Sequence, residues 1–389
     1  LKTTYRLRDW LVSRQRYWGA PIPIVYCEAC GEQPVLEKDL PVLLPDDVDF
    51  LPTGESPLNR SKAFHNVVCH KCGSKARREA DTMDTFVCSS WYYLRYVDPH
   101  NATAPFDKTL VNAWCPVDMY IGGAEHAVLH LLFSRFFVKA LNDAGWVSFR
   151  EPFTSLRNQG LILGEDGEKM SKSRGNVVNP DEIIVQYGAD TLRMYEMFMG
   201  PLEDAKPWDT KGIIGIRRFL DKVWRLKEKV VPSAEMEENW LKSLHKVIKK
   251  VSNDIESLKF NTAISAMMIY VNELEGLTLI LEDVFKKFLV ILSPFAPHLS
   301  EELWQRLEEK ESIFRSTWPT VDNRYLAEDK ANIVIQVNGK VRDQLEVDFG
   351  SGEEAVIGQA QQSEKVKKYL TGSVKRTVYV PNKLLNIII

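Results

Sequence analysis

The sequence lacks a dominant charge sign: 50 Lys and Arg face 53 Asp and Glu across 389 residues, for a net charge of −3. A uniformly cationic nucleic-acid wrapper is thereby excluded, and any polyanionic partner must meet local basic surfaces. The sequence also lacks the roughly 20-residue apolar run that a membrane-spanning helix needs, and its start has no signal-peptide profile. There is no internal repeat and no low-complexity tract. With 44% hydrophobic and 10% aromatic residues, wholesale disorder is excluded, and the length predicts two or three domains. A soluble cytoplasmic protein without a membrane partner is expected. The chain opens at Leu1 and not at a methionine, which predicts that it is part of something longer or of a split protein.

Cysteine is scarce as well, six in all, but four fall as Cys27-Glu-Ala-Cys30 and Cys69-His-Lys-Cys72. A two-residue gap lets both thiolates of each pair reach one metal ion, so Cys27, Cys30, Cys69 and Cys72 predict a zinc site. A disulfide pairing also fits four cysteines. Against it, Cys88 and Cys115 are left over in apolar surroundings, and a chain of this size needs no staples. His65 and His70 lie close enough to replace a cysteine, although four thiolates already complete a tetrahedron and leave no open position for catalysis. Such a zinc ion is structural. Residues 31–68 are rich in turn formers, among them Pro41, Pro45, Pro52, Gly54 and Pro57, and predict an irregular flap pinned by the metal.

Residues 81–200 alternate short apolar runs with helical stretches, an α/β pattern. Met119 to Gly122 and Gly160 to Leu163 read as strands. Glu125 to Ala140 reads as a helix too apolar for a surface, packed against a sheet. From Lys211 the texture changes to long amphipathic helices that break at Pro294 and Pro297 and restart at Ser300, which predicts a bundle of four or five helices to about residue 315. The isolated Trp224 and Trp240 fit its core by their spacing. Residues 331–389 alternate again, with Asn338-Gly339 as a hairpin signal, a helix near Glu353 to Leu370 and a last strand Thr377 to Val380. Charge is uneven: residues 211–260 hold 12 basic against 7 acidic side chains, and residues 261–310 hold 4 against 8. The terminal module holds 8 against 6. These runs fit a phosphate-facing surface or ordinary solvated faces.

Lys169-Met170-Ser171-Lys172-Ser173 sits between Gly164 and Gly175, a loop with glycines at both ends. Two lysines three residues apart can close over a polyphosphate and neutralise charge growing on a departing pyrophosphate. The loop carries three acids and three bases, so a mixed-charge solvent loop fits the composition equally. No convincing Ser-His-Asp set accompanies it. Ser89 and Ser90, beside Cys88, have no paired base in view. His126 and His130, spaced i, i+4, suit one side of a helix, as metal ligands without an evident third partner, as core, or as a pocket wall.

Together these residues resemble a known family. The KMSKS pentapeptide is similar to the second signature of class I aminoacyl-tRNA synthetases. The segment Asp9 to Pro23 resembles the stretch by which the leucine, isoleucine and valine enzymes re-enter the catalytic domain after the editing insertion. Tyr120-Ile121-Gly122-Gly123-Ala124-Glu125-His126, with Met83-Asp84-Thr85-Phe86 and Ser89-Ser90-Trp91-Tyr92, resembles the leucine-specific branch. Further likeness lies in Tyr187 to Arg193, in Pro294-Phe295-Ala296-Pro297-His298 and in the terminal module, so nearly the whole chain is covered.

The resemblance implies ATP-dependent activation of leucine and transfer of the leucyl group to tRNA(Leu), with AMP and pyrophosphate released. It implies phosphate contacts for Lys169 and Lys172 as catalytic groups, and an ATP site of Gly122, Gly123, Glu125, Gln159, Lys169, Met170, Ser171, Lys172 and Ser173. Phe86, Tyr120, His126 and His130 would bind leucine, and Mg2+ would arrive on ATP. The fold implied is α/β, the second half of a Rossmann-type catalytic domain with a zinc-ribbon insertion, then an α-helical bundle and a small α+β module. The divisions are a re-entry segment at 1–24, the zinc-ribbon-like insertion at 25–80, the catalytic half at 81–210, an anticodon-binding-type bundle contacting tRNA at 211–325, and the tRNA-binding module at 326–389. Two family features are missing: the His-Ile-Gly-His type signature with the editing domain, expected on an N-terminal partner without which this chain is inactive, and an extra domain before the lysine loop. The rivals are an isoleucine or valine enzyme and a non-catalytic zinc-containing tRNA-binding protein.

Overall fold

Short strands prevail in the first of two units into which the chain divides, Leu1–Met170 with Leu202–Pro207; the second is Ser171–Pro201 with Trp208–Ile389. The computed structural model describes residues 3–4, 10–51, 54–233, 237–326 and 330–389. Asp9 and Pro52, named above, lie outside the described residues. Among those described, no helix is long and apolar enough to cross a membrane.

In the first unit the strands are β1 (Ser13–Arg14), β2 (Ile24–Cys27), β3 (Gly31–Pro34), β4 (Val67–Val68), β5 (Lys75–Arg78), β6 (Thr82–Met83), β7 (Tyr120–Gly123), β8 (Leu156–Gln159), β9 (Ile162–Leu163) and β10 (Lys206–Pro207). Its helices are α1 (Lys62–His65), α2 (Thr85–Cys88), α3 (Tyr92–Val97), α4 (Lys108–Trp114) and α5 (His130–Asp143). Four strands form an antiparallel sheet in the order β3-β2-β5-β4. β7 and β8 run parallel, as do β9 and β10. The early segment is held by β1 against β6, where the Thr82 hydroxyl donates to the Arg16 carbonyl at 2.8 Å. Trp10 stands edge-on to Phe133 and Phe136 of α5, with ring centroids 4.6 and 5.1 Å away.

Aspartates start two of the helices. Asp84 accepts the Phe86 amide at the head of α2, and Asp107 accepts the Leu110 amide at the head of α4. Between β3 and β4 the described residues are irregular apart from α1 and two short 3-10 turns, as the prolines predict.

Two expected elements differ. The strand expected at Gly160 to Leu163 keeps only β9, because the Gly160 amide turns away to the Leu202 carbonyl at 2.8 Å. The preceding residues, Leu156–Gln159, make the longer strand instead. The helix expected from Glu125 begins at His130, since Leu129 adopts φ −110° and ψ −107°, and Ala124–Ala127 is a 3-10 turn. No residue periodicity encodes that kink.

In the second unit α6 (Pro180–Tyr187) and α7 (Ala189–Phe198) meet at Gly188, whose φ of 94° favours glycine. There follow α8 (Ile213–Leu226), β11 (Val230–Val231), α9 (Glu238–Glu256), α10 (Phe260–Glu275), β12 (Ile280–Leu281), α11 (Glu282–Leu292) and α12 (Pro297–Gln305). Apolar residues at spacings of three and four bury one face of each: Ile216, Phe219, Leu220 and Val223 on α8, Leu244, Ile248 and Val251 on α9, Ile264, Met267 and Val271 on α10. α12 starts at Pro297 and not at Ser300, because proline suits the first helical position, where no amide partner is lost. Trp224 departs from its expected core position and remains 38% exposed.

The terminal module is a four-stranded sheet, β14-β13-β16-β15, of β13 (Lys330–Val337), β14 (Lys340–Asp348), β15 (Arg376–Val380) and β16 (Leu384–Ile388). Asn338 and Gly339, at φ 50° and 76°, make the expected hairpin turn. The helix expected to Leu370 splits into α13 (Glu353–Gln362) and α14 (Glu364–Lys367) at Ser363, whose hydroxyl bonds Asp343. β16, which pairs parallel to β13, was not among the expected strands.

Candidate functional site

The two cysteine pairs are brought together as expected. Cys27 ends β2, and Gly31, at φ 72°, turns the chain through Cys30 into β3. Cys69 and Cys72 lie on a second knuckle closed by the Gly73 amide on the Cys69 carbonyl at 2.8 Å, with Gly73 at φ 76°. All four sulfurs lie within 4.8 Å of one another, and Cys27 and Cys72 are 3.5 Å apart. A zinc–thiolate tetrahedron with bonds of about 2.3 Å sets its sulfurs roughly 3.8 Å apart, so the four residues fit that ion. The Ser74 hydroxyl and amide hold the Cys72 thiol below its usual range, and hydrogen bonding to Cys72 pushes Cys30 up. One thiolate is therefore favoured at the expense of its neighbour, the conflict that a bound cation relieves. The four cysteines are free of disulfides. His65 and His70 do not join them; burial, first, and the nearby Arg77 lower the pKa of His65.

β7 positions two groups of residues at its opposite ends. At the start, Tyr120 lies against His130, the first residue of α5, with centroids 5.7 Å apart, and against Phe153 at 4.8 Å. Tyr92 approaches His130 from α3 at 5.7 Å. His130 is 6% exposed, its Nε2 has no partner, and burial first and His126 second lower its pKa. The imidazole is therefore held neutral. His126 lies on the 3-10 turn, 6.4 Å from the Phe86 ring, so the two histidines do not share one continuous helix. The structure thus joins Tyr120 to His130 and Phe86 to His126. Tyr92 and Phe153 complete the aromatic surroundings; the motif containing Tyr92 pointed to this neighbourhood, whereas nothing in the sequence singled out Phe153.

At the other end, pairing of β7 with β8 sets Gly123 opposite Gln159 and Gly122 opposite Asn158. The carboxylate of Glu125 folds back on Gly123, where a Cβ would lie 2.2 Å from its oxygen, so a side chain at 123 would displace the carboxylate. Gly160 is more tightly constrained: a Cβ there would meet the backbone carbonyl of Asp204 at 2.0 Å. Ser89 and Ser90 both donate to the Phe86 carbonyl, a packing role and not a nucleophile's. Arg14 pairs with Asp84 at 2.8 Å, tying the early segment to the cap of α2; the Asp-Thr-Phe order was a readable capping signal.

The lysine loop begins as a tight hairpin. The Gly164 amide donates to the Glu168 carbonyl, Gly167 has φ 74°, and Lys169 bridges Leu163. The division between the two units falls between Met170 and Ser171. Beyond it, Ser171 donates its amide to Asn176 Oδ1 at 2.9 Å and shares a hydroxyl contact with Ser173 at 2.8 Å, ahead of Gly175 at φ 70°.

Known proteins resemble this chain over nearly its whole length. Residues 4–208 match the profile of tRNA synthetases class I (I, L, M and V), and residues 237–357 match an anticodon-binding domain of tRNA ligase. The chain is similar to leucine–tRNA ligase of Pseudothermotoga lettingae, 50% identical over 99% of this chain and 49% of the relative. It is similar to that of Thermotoga maritima, 49% identical over 99% of this chain and 50% of the relative. The chain spans about half the length of the curated relatives it matches. Among solved structures it resembles the Agrobacterium radiobacter K84 LeuRS in a ternary complex with tRNA and LeuAMS, at TM-score 0.87 and 37% identity, over 99% of this chain and 52% of that one.

Proposed function

The chain belongs to the class I tRNA synthetases (I, L, M and V), and from that membership we propose that it contributes to ATP-dependent activation of leucine and its transfer to tRNA(Leu). The observation that carries the reading is β7, with the aromatic cluster of Tyr120, Tyr92 and Phe153 around the buried His130 at one end and the Gly123, Glu125 and Gln159 cluster at the other. An aliphatic side chain suits the apolar faces of the first. The ribose hydroxyls suit the Glu125 carboxylate, with Gln159 beside the adenosine.

The leucine carboxylate attacks the α-phosphorus and pyrophosphate leaves, so no protein nucleophile is required. The chain's part is to orient the reactants and to stabilise the charge that develops. Lys169 and Lys172 neutralise the departing pyrophosphate, and Met170, Ser171 and Ser173 carry backbone to the phosphates. Magnesium bound to ATP supplies further neutralisation. A 3′-terminal hydroxyl of the tRNA then displaces AMP from the leucyl group. Residues 81–210 would make up the catalytic half after the re-entry segment at 1–24. Residues 211–325 and 326–389 would grip the RNA, and residues 25–80 would hold one structural zinc ion through the four cysteines.

Amino-acid-dependent exchange of pyrophosphate into ATP tests the reading in the enzyme that contains this chain. Leucine is expected to support exchange with a kcat/KM at least about 100-fold above isoleucine or valine. Preference for isoleucine or valine would transfer the assignment to those enzymes. tRNA binding without any exchange would favour a non-catalytic RNA-binding role.

A further inference from the structure

A cleft of about 520 Å³ opens in the second unit between α8, α12 and the turn from α6 to α7. Helical spacing builds its walls: Arg217, Leu220, Asp221 and Trp224 recur at three and four along α8, and His298 and Glu302 stand one turn apart on α12. Asp190 closes the floor by accepting the backbone amides of His298 and Leu299 at 3.3 and 2.7 Å and His298 Nδ1 at 2.7 Å.

Arg217, the arginine of the wall, pairs with Asp221 at 3.0 Å, and Arg306, beside the cleft, pairs with Glu302 at 2.7 Å. The lining is therefore poorly suited to a phosphate. Arg306 lies 4.4 Å from the Trp224 ring centroid and covers one face of the indole. The indole nevertheless stays 38% exposed and fronts the cleft. The contact with Asp190 fixes the His298 ring through Nδ1 and leaves Nε2 turned to the open on a side chain that is 77% exposed. An aromatic wall, an exposed imidazole edge and nearby carboxylates that accept N–H groups together suit a flat ring bearing N–H donors, which is the form of a nucleobase. The surroundings fit the rest of a nucleic acid: residues 211–229 carry seven Lys and Arg against Asp221 and Glu228, and Arg218 and Arg225 are exposed.

We infer that this cleft takes one unstacked base of a bound tRNA. The inference rests on the proposed function for its partner and adds the place of contact. Chemical probing of base reactivity on a tRNA(Leu) transcript, free and bound to the enzyme that contains this chain, tests it together with the binding affinity. With wild-type protein one base is shielded. In Trp224→Ala that shielding is lost and affinity falls about tenfold, the loss expected for one base stacked on an aromatic ring. Trp224→Phe keeps the shielding, and His298→Ala, changed at an exposed side chain, weakens it without loss of fold. Shielding and affinity within about twofold of wild type in both alanine variants overturn the inference while leaving the proposed function standing. Failure of the wild-type enzyme to bind the transcript sinks both.

Discussion

The cysteine knuckle and the helices of the second unit bury themselves by different means. The knuckle's core consists of Val25, Cys27, Cys69 and Ala76, so half of its buried residues are cysteines of the four-sulfur cluster. The helices bury Phe285, Phe288, Leu289, Ile291 and many more completely, each contributing about 1.5–3 kcal/mol. Even with the small cluster of Leu58, Phe64 and Ala80 beneath the flap, this burial offsets little of the chain entropy of some forty residues of irregular chain. The contrast teaches where burial alone supports the fold and where a cross-link such as a metal would be needed.

The largest expected effect breaks the knuckle alone. Chelation of the purified protein, or Cys69→Ser, should remove one equivalent of zinc and melt residues 25–80, since structural zinc is worth on the order of 10 kcal/mol. Metal analysis with hydrogen exchange reads both, and the helices should keep their protection. The converse is Phe288→Ala, which opens a cavity at a fully buried position. It should cost about 3–5 kcal/mol in urea unfolding followed by circular dichroism, with zinc content unchanged.

A smaller effect is expected at Asp190. Its carboxylate caps α12 from α7, so Asp190→Ala should cost about 2 kcal/mol by the same measurement. The smallest concerns pH. Burial lowers the pKa of His130, and the unfolded chain therefore binds its proton more readily. Stability from this residue is full above about pH 6.5, its unfolded value, and falls as pH drops through the lower folded value. The melting temperature should decline between about pH 7 and 5, and His130→Phe should flatten that slope.

The parts of the site fixed by chemistry were readable in advance. Thiolates two residues apart can reach one ion, so Cys27, Cys30, Cys69 and Cys72, which the fold brings together, announce themselves in the sequence. Helix and strand boundaries were less legible. The kink at Leu129 lies inside an apolar run, where a continuous helix and a turn followed by a helix have the same periodicity. Ser363 ends a helix through a bond to Asp343, twenty residues away in sequence. β16 was hidden because its apolar residues follow a tight turn at Asn382, φ 59°, and pair with β13 fifty residues earlier. Trp224 has core spacing on α8 yet fronts a cleft, because the covering neighbour on that side is Arg306 and not an apolar chain.

The claim that a glycine-flanked pair of lysines stabilises the departing pyrophosphate is tested most directly by leucine-dependent exchange in the enzyme that contains this chain, with Lys169 and Lys172 both changed to Ala. The account predicts that kcat falls at least about 100-fold while the KM for leucine stays within about threefold. An unchanged kcat, or a loss confined to leucine KM, would contradict it.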